Sequence, residues 1–221
     1  WRYAQVSLVA KIFHTKSHHY QAYEHFLPEG PLALLPLNGN ESSLIWTVHP
    51  DTAAALMNVS PQVFSTHLTQ KFGLALGDLS LSSDTRLVKD TGLVTSYPLG
   101  GHYCQQAYKA GVILVGDAAH TMHPVAGQGF NVGLRDAFGL CDHLIHEKSL
   151  GLPWWDVLSL KRYYDSRQRD VLSMIGVTHG LVRLFSRDTP LLQSFLSSGL
   201  SLVNAIHPLK RFLTKKAMGL S

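Results

Sequence analysis

The chain has 221 residues, of which 45% are hydrophobic and 15% are charged, and it contains two cysteines. This composition is typical of a globular protein that can bury a core, and it excludes a disordered chain, a collagen-like repeat and a disulfide scaffold. The sequence has no run of 18 apolar residues, so we expect no membrane-spanning helix.

Positive charge is concentrated at one end of the sequence. Residues 1–160 carry 9 basic and 12 acidic side chains, whereas residues 161–221 carry 10 basic and 3 acidic ones. We expect no nucleic-acid partner, because no aromatic stacking platform or recognised nucleic-acid motif accompanies the basic residues. Two interpretations stay open: an ordinary solvated helix face, or a surface that contacts anionic lipid.

The first hundred residues predict a sheet with two inserted helices. Residues 3–50 show alternating apolar positions and short apolar runs between turn residues, which indicate β-strands. Helices are expected over residues 51–58 and 61–72, the second with Ser60 as its N-cap and a proline at its first position. A further strand pair is expected at residues 85–89 and 93–99.

The pattern changes after Gly111. Val112–Val115 is a continuous apolar run between glycines, which predicts a strand buried on both faces of a parallel sheet. Apolar residues spaced three and four apart from Phe130 to Ile145 predict an amphipathic helix. From Trp154 to the end the pattern is helical, with interruptions at two prolines.

The segment Gly116–Asn131 carries the strongest chemical signal. Gly116 and Asp117 follow the predicted strand, and small residues there would let a ligand approach the backbone while the carboxylate accepts hydrogen bonds from sugar-like hydroxyls. Gly127 and Gly129 would leave N–H groups open at a helix start, where the helix dipole stabilises negative charge. These residues alone predict a polyol-bearing ligand with a developing anion beside the helix.

This segment resembles the second flavin-binding signature of the class A flavoprotein monooxygenases, which have the para-hydroxybenzoate hydroxylase-like fold. The wider chain is similar to the ubiquinone-biosynthesis hydroxylases of that family, most of all to the 2-polyprenyl-6-methoxyphenol hydroxylases. The flanking segments that carry the similarity are Ala22–Phe26, Gly30–Leu37, Tyr97–Leu99, Ile175–Thr178 with Leu184 and Phe185, and Ala217–Leu220. The resemblance covers the whole chain but only the second half of the family's length.

The resemblance implies an α/β fold, or α+β for a truncated chain. Residues 1–100 would form a partial substrate-binding sheet domain, residues 101–150 the last strand, loop and helix of a Rossmann-like FAD domain, and residues 151–221 a helical C-terminal region. The residues implied to bind FAD are Gly116, Asp117, Pro124, Ala126, Gly127, Gln128, Gly129, Phe130 and Asn131.

The function implied by the resemblance is hydroxylation of the aromatic ring of a polyprenylated phenol in bacterial ubiquinone biosynthesis. NAD(P)H would reduce FAD, and the reduced flavin would react with O2 to give a flavin hydroperoxide. Two alternatives stay open: a flavin hydroxylase with another aromatic substrate, and a non-catalytic assembly protein of the biosynthetic complex. No catalytic residue is assigned.

The sequence also departs from the family pattern. It contains no glycine-rich Rossmann fingerprint and no Asp-Gly signature of the family's middle region, so we expect the isolated chain to bind FAD weakly or not at all and to be inactive. No metal site is expected, because His120 and His123 have no third ligand at suitable spacing. For Arg135 and Asp136, an intrahelical or solvated pair and a structural role beneath the flavin stay equally open.

Residues 209–218 have a pattern that bears on whether the protein contacts a membrane. Leu209, Phe212, Leu213 and Met218 can share one helix face, opposite Lys210, Arg211, Lys215 and Lys216. Such a basic amphipathic helix would suit the surface of an anionic bilayer, and a polyprenyl substrate resides in the bilayer. Because the two isolated cysteines fit a reducing compartment, we expect a cytoplasmic protein, with peripheral contact to the inner membrane and membership of a ubiquinone-biosynthesis complex as open options.

Overall fold

The computed structural model describes residues 1–82 and 93–185 and, beyond them, residues 205–208, 210–211 and 214. The chain divides into two compact units. We call Arg2–Leu99 the sheet unit, and Gly100–Ser221 together with Trp1 the helical unit. The predicted strand over residues 85–89 lies outside the described residues.

The sheet unit contains one six-stranded sheet. Its strands are β1 (Arg2–His14), β2 (Tyr23–Leu27), β3 (Gly30–Pro36), β4 (Glu41–Val48), β5 (Leu79–Leu81) and β6 (Val94–Gly100). The order is β2-β3-β4-β1-β5, with every neighbouring pair antiparallel, and β6 also pairs with β1. The strands expected in residues 3–50 and 93–99 are confirmed.

Side-chain alternation places the main core on one face of this sheet. Leu8, Ala10 and Ile12 of β1 are buried, and β4 contributes Leu44 and Trp46. Two helices, α1 (Pro50–Met57) and α2 (Pro61–Phe72), add apolar side chains to the same cluster, and the helices expected over residues 51–58 and 61–72 are confirmed.

The start of α2 follows from its sequence. The Ser60 hydroxyl accepts the Val63 N–H at 3.3 Å, and Pro61 occupies the first position, where its missing N–H removes no helical bond. The predicted N-cap is confirmed.

In its described residues, the helical unit contains two long helices and two short strand pairs. The helices are α3 (Gln128–Ser149) and α4 (Val157–Phe185), and the strands are β7 (His102–Tyr103), β8 (Tyr108–Lys109), β9 (Val112–Ile113) and β10 (His120–Thr121). β7 pairs with β10, and β8 pairs with β9. Met122, Val132 and Val171 form its small buried cluster. The helix predicted from Phe130 is confirmed, and α4 confirms the helical pattern predicted from Trp154 as far as Phe185; most later residues lie outside the described set.

The prediction of a strand buried on both faces at Val112–Val115 is wrong. β9 covers only Val112–Ile113 and pairs antiparallel with β8 in a two-stranded hairpin. Val112 and Leu114 are 45% and 39% exposed. An apolar run shows only that its side chains favour burial, and no strand in the described residues lies parallel beside this one to cover it.

Within the described residues no helix is long and apolar enough to cross a bilayer. In the C-terminal segment, the predicted basic helix falls mostly outside the described residues: of its basic side chains only Lys210 and Arg211 belong to described, helical positions.

Candidate functional site

A tight turn follows β9 in the helical unit. Gly116–Ala118 form a single 3-10 turn, closed by the Ala119 N–H, which donates to the Gly116 carbonyl at 2.9 Å. Gly116 has φ +55°, and a Cβ on Gly133 of α3 would lie 3.3 Å from the Gly116 Cα. The turn therefore approaches the helix backbone more closely than side chains at both positions would allow.

The Asp117 side chain is exposed on this turn. In the described part of the chain its carboxylate makes no hydrogen bond or ion pair. Its oxygens therefore remain free to accept hydrogen bonds from a ligand.

A second turn leads into α3. Val125–Gly127 form another 3-10 turn, and Gly127 has φ +60°, in the left-handed region that favours glycine. No side chain caps the start of α3 within the described residues. A Cβ on Gly127 or Gly129 would meet no heavy atom within 4 Å. The first N–H groups of α3 therefore lie beside open space, with the positive end of the helix dipole behind them.

The two turns and the first turns of α3 line one open concavity. Its lining residues are Val115, Gly116, Asp117, Thr121, Met122, Pro124, Gly127, Gly129, Phe130, Gly133, Leu134 and Ala137. Six of the nine residues predicted from the sequence are among them. Gln128 and Asn131 are not: Gln128 is buried, and its side-chain oxygen accepts a hydrogen bond from the Asn131 amide at 3.4 Å. The side chain of Ala126 lies outside the described set.

A buried carboxylate fixes the first turn to both helices. Asp136 of α3 accepts a hydrogen bond from the Gly116 N–H at 3.2 Å and lies 2.6 Å from Nε2 of His120. Nε of Arg167, from α4, donates to its other oxygen at 2.9 Å. The Tyr163 hydroxyl donates to the Asp136 carbonyl at 2.8 Å. One side chain thus joins the turn, β10, α3 and α4.

The charges of this cluster stabilise each other. Burial opposes ionisation of Asp136, but hydrogen bonds from His120, Arg167 and the Gly116 N–H outweigh it and lower the pKa of the carboxyl group. Burial also opposes ionisation of Asp170, but Arg135 and Arg167 lower its pKa. Burial likewise disfavours the charged Arg167, yet its two carboxylate partners raise its pKa. Asp136, Asp170 and Arg167 are therefore each held in the charged form by their partners.

The option of an intrahelical or solvated pair between Arg135 and Asp136 is wrong. Arg135 donates to Asp170 of α4 at 3.0 Å, while Asp136 is buried and binds His120 and Arg167. Successive residues on a helix point in different directions, so these two meet different partners.

The two histidines of the motif have separate environments. His120 is bonded to Asp136, whereas His123 is 0% exposed and its Nδ1 accepts the Val125 N–H at 3.1 Å. Burial, with a smaller contribution from His179, lowers the pKa of His123 to about 4. No three His, Cys, Asp or Glu side chains among the described residues form a group that could hold a metal ion.

Sequence reasoning missed His120, Arg167, Asp170 and Tyr163 as supports of the site. One signal was present: Asp136 follows Val132 by four residues and so shares its buried helix face. A carboxylate on a buried face needs a partner, but the sequence does not identify one that lies 31 residues away.

The sequence matches the family described as FAD binding domain over residues 1–149, and the squalene epoxidase family over residues 100–201. It is 39% identical over 217 residues to ubiquinone hydroxylase UbiL of Rhodospirillum rubrum, covering 98% of this chain and 48% of that protein. It is 32% identical over 220 residues to 3-demethoxyubiquinol 3-hydroxylase of Escherichia coli, covering 100% of this chain and 54% of that protein. The chain thus spans about half the length of these relatives.

The backbone is similar to that of p-nitrophenol 4-monooxygenase PnpA from Pseudomonas putida, with a TM-score of 0.72 and 16% sequence identity. That match covers 100% of this chain and 53% of the other. At this identity the similarity shows a shared fold, the mixed α/β fold expected from the sequence.

Proposed function

This chain belongs to the FAD binding domain family, and from that membership we propose that it is part of an FAD-dependent monooxygenase. The proposed reaction is hydroxylation of the aromatic ring of a polyprenylated phenol in ubiquinone biosynthesis, with NAD(P)H as electron donor and O2 as oxidant. Support for the substrate class comes from relatives named for ubiquinone hydroxylation that align along nearly the whole chain.

The concavity beside α3 carries this proposal, because its residues suit a flavin. Gly127 and Gly129 leave open space where a planar ring could approach the backbone. The free Asp117 carboxylate suits the hydroxyls of a ribityl chain, and Gly116 leaves room beside it. Pro124 and Phe130 supply apolar lining for the ring.

When bound, FAD would supply the redox chemistry, accepting electrons from NAD(P)H and passing them to O2. The chain's own contribution is electrostatic and steric. The uncapped N–H groups at the start of α3 would stabilise negative charge on the reduced ring without rearrangement. Met122, Phe130 and Leu134 would exclude water from the reacting face.

The substrate's polyprenyl tail favours action at a bilayer. We propose a cytoplasmic protein with peripheral contact to the inner membrane, to which Lys210, Arg211, Lys215 and Lys216 contribute positive charge. Association with other ubiquinone-biosynthesis proteins would deliver the substrate between successive steps.

The test is turnover by the natural protein with FAD, NAD(P)H, heavy-oxygen-labelled O2 and a polyprenylated phenol. We expect one labelled oxygen atom in the ring of the product, measured by mass spectrometry. Asp117→Ala should weaken FAD binding by about tenfold or more, since one such step is about 1.4 kcal/mol, the scale of a lost charge-assisted hydrogen bond.

The matched control is Asp142→Ala, which removes an exposed carboxylate from the same unit, further along α3. It should leave FAD affinity and turnover unchanged. Equal FAD affinity in the two variants would contradict the assigned role of Asp117, and absence of labelled product from the wild-type protein would contradict the proposed reaction.

A further inference from the structure

The connection between α3 and α4 exposes an unusual amount of apolar surface. We call residues 150–158, the connection together with the first two residues of α4, the apolar loop. Its large exposed side chains are Leu150 (59%), Leu152 (41%), Trp154 (37%), Trp155 (56%), Val157 (42%) and Leu158 (64%). Isolated exposed apolar residues are common, but six within nine positions form a patch of the kind that marks an interaction surface.

Backbone bonds fix the shape of this loop. At its start, the Gly151 N–H donates to the Lys148 carbonyl at 3.0 Å. In the middle, the Trp155 carbonyl accepts the Gly111 N–H at 3.1 Å, which ties the loop to the β8–β9 hairpin. At its end, the Asp156 carboxylate accepts the Ser159 N–H at 2.6 Å and so caps α4. The apolar side chains are therefore presented by a held backbone.

The two tryptophans have the chemistry of membrane-interface residues. Their rings contact each other edge to face, with centroids 5.2 Å apart. Neither indole N–H has a hydrogen-bond acceptor among the described residues. An indole with an apolar body and a free N–H donor is favoured where hydrocarbon meets lipid headgroups.

Charges near the loop favour an anionic surface over a neutral or basic one, and the tryptophan chemistry favours a bilayer as that surface. The carboxylate of Glu147 is occupied by Arg162, and that of Asp156 by the helix cap. Lys109 and Lys148 are exposed, and in the described part of the chain neither has an ion-pair partner. Apolar side chains are thus flanked by free ammonium groups, the arrangement that suits acyl chains beneath anionic headgroups.

We propose that the apolar loop inserts into the headgroup region of an anionic bilayer. Trp154 and Trp155 lie at the headgroup level, Leu150, Leu152 and Leu158 reach the outer acyl chains, and the flanking lysines contact lipid phosphates. This contact is separate from the basic C-terminal residues and does not depend on flavin chemistry.

The test uses vesicles of phosphatidylcholine with and without phosphatidylglycerol, in the absence of FAD and substrate. Trp154→Ser/Trp155→Ser should reduce binding to the anionic vesicles by about tenfold or more in a flotation assay, because the two largest inserted side chains are lost. The control Val63→Ser/Leu74→Ser removes exposed apolar side chains from the sheet unit and should bind like wild type.

A second measurement leaves the loop intact. Trp46 of this chain is buried, so a Trp1→Phe substitution leaves Trp154 and Trp155 as its exposed tryptophans. Lipids brominated near the headgroup should quench the fluorescence of the exposed pair and shift its emission to the blue.

Equal vesicle binding by the loop variant and wild type would overturn the proposal, as would absence of quenching. So would a lipid-free dimer that the loop variant dissociates, because the loop would then be a protein interface. Since the vesicle assays contain neither FAD nor substrate, their results are independent of whether the proposed hydroxylation occurs.

Discussion

At the scale of single residues, Asp136 has the most partners around the candidate site. It binds the backbone of the Gly116 turn, His120 of β10 and Arg167 of α4 at the same time. Each bond holds a different segment. The Asp136 side chain itself is not among the residues that line the concavity. Asp136 is therefore a positioning residue: through its bond to the Gly116 N–H it determines where this lining residue lies.

Replacing this carboxylate should destabilise the helical unit. Asp136→Asn leaves Arg167 with a weaker buried partner, and removing one member of a buried pair costs about 3 kcal/mol in unfolding free energy. Denaturant unfolding measures the loss. Asp142→Asn, an exposed change on the same helix, should alter stability by less than about 0.5 kcal/mol. Equal midpoints for the two variants would show that the cluster adds no stability.

At the scale of elements, residues close together in the sequence predicted the helices. The position of the site depends on contacts between residues far apart in the sequence. Ser60 and Pro61 predicted the start of α2, because a cap involves residues only three positions apart. The spacing of apolar residues from Phe130 predicted α3 for the same reason. The run Val112–Val115 could not predict its own burial, since that depends on which strands lie beside it.

In the candidate site, too, the features set by neighbouring residues could be predicted and those set by distant residues could not. The sequence could single out the glycines and Asp117, which line the concavity, because their chemistry is local to two turns. The cluster around Asp136 was not, because Arg167 comes from another helix and no sequence spacing links the two. Gln128 and Asn131 were expected to bind FAD from the resemblance; in the structure their side chains bond to each other and do not line the concavity.

The start of α3 gives a prediction with a matched control. Gly127 and Gly151 both have left-handed φ values, +60° and +67°, and both have open space where a Cβ would lie. Gly127→Ala and Gly151→Ala should each cost about 1 kcal/mol of stability through backbone strain alone. Only Gly127→Ala should also weaken FAD binding, by about tenfold, because only Gly127 lines the concavity.

Fluorescence titration of the natural protein with FAD measures this difference. If both alanine variants bind FAD equally well, the start of α3 is not part of the flavin site.

At the scale of the whole molecule, the two units have very different cores. The sheet unit buries a large cluster that includes Phe64, Leu68 and Trp46, whereas the buried cluster found in the described part of the helical unit has three residues. The helical unit relies more on charged and hydrogen-bonded groups, including His123, Asp136 and Asp170. Its stability should therefore depend more strongly on pH.

Acid should destabilise the helical unit first. The pKa of His123 is lowered from 6.5 to about 4, so the folded state resists protonation that the unfolded state accepts. The stabilisation is complete above about pH 6.5 and is lost as the pH falls toward 4, by up to about 3 kcal/mol. The contributions of Asp136 and Asp170, whose pKa values are lowered, disappear at still lower pH.

Hydrogen exchange of backbone amides at several pH values measures this effect unit by unit. His123→Gln should flatten the pH dependence of the helical unit between pH 6.5 and 4, while His146→Gln, an exposed change, should not. An unchanged slope in His123→Gln would exclude His123 as its source.

The close approach of Gly116 and Gly133 limits how this protein can be redesigned. A Cβ at either position would lie 3.3–3.6 Å from the opposite Cα, so the turn and the helix share one small volume. A library that randomises the turn to alter ligand preference should hold position 133 as glycine. If position 133 is varied instead, positions 116 and 133 should be screened as pairs, because the effect of a side chain at one depends on the residue at the other.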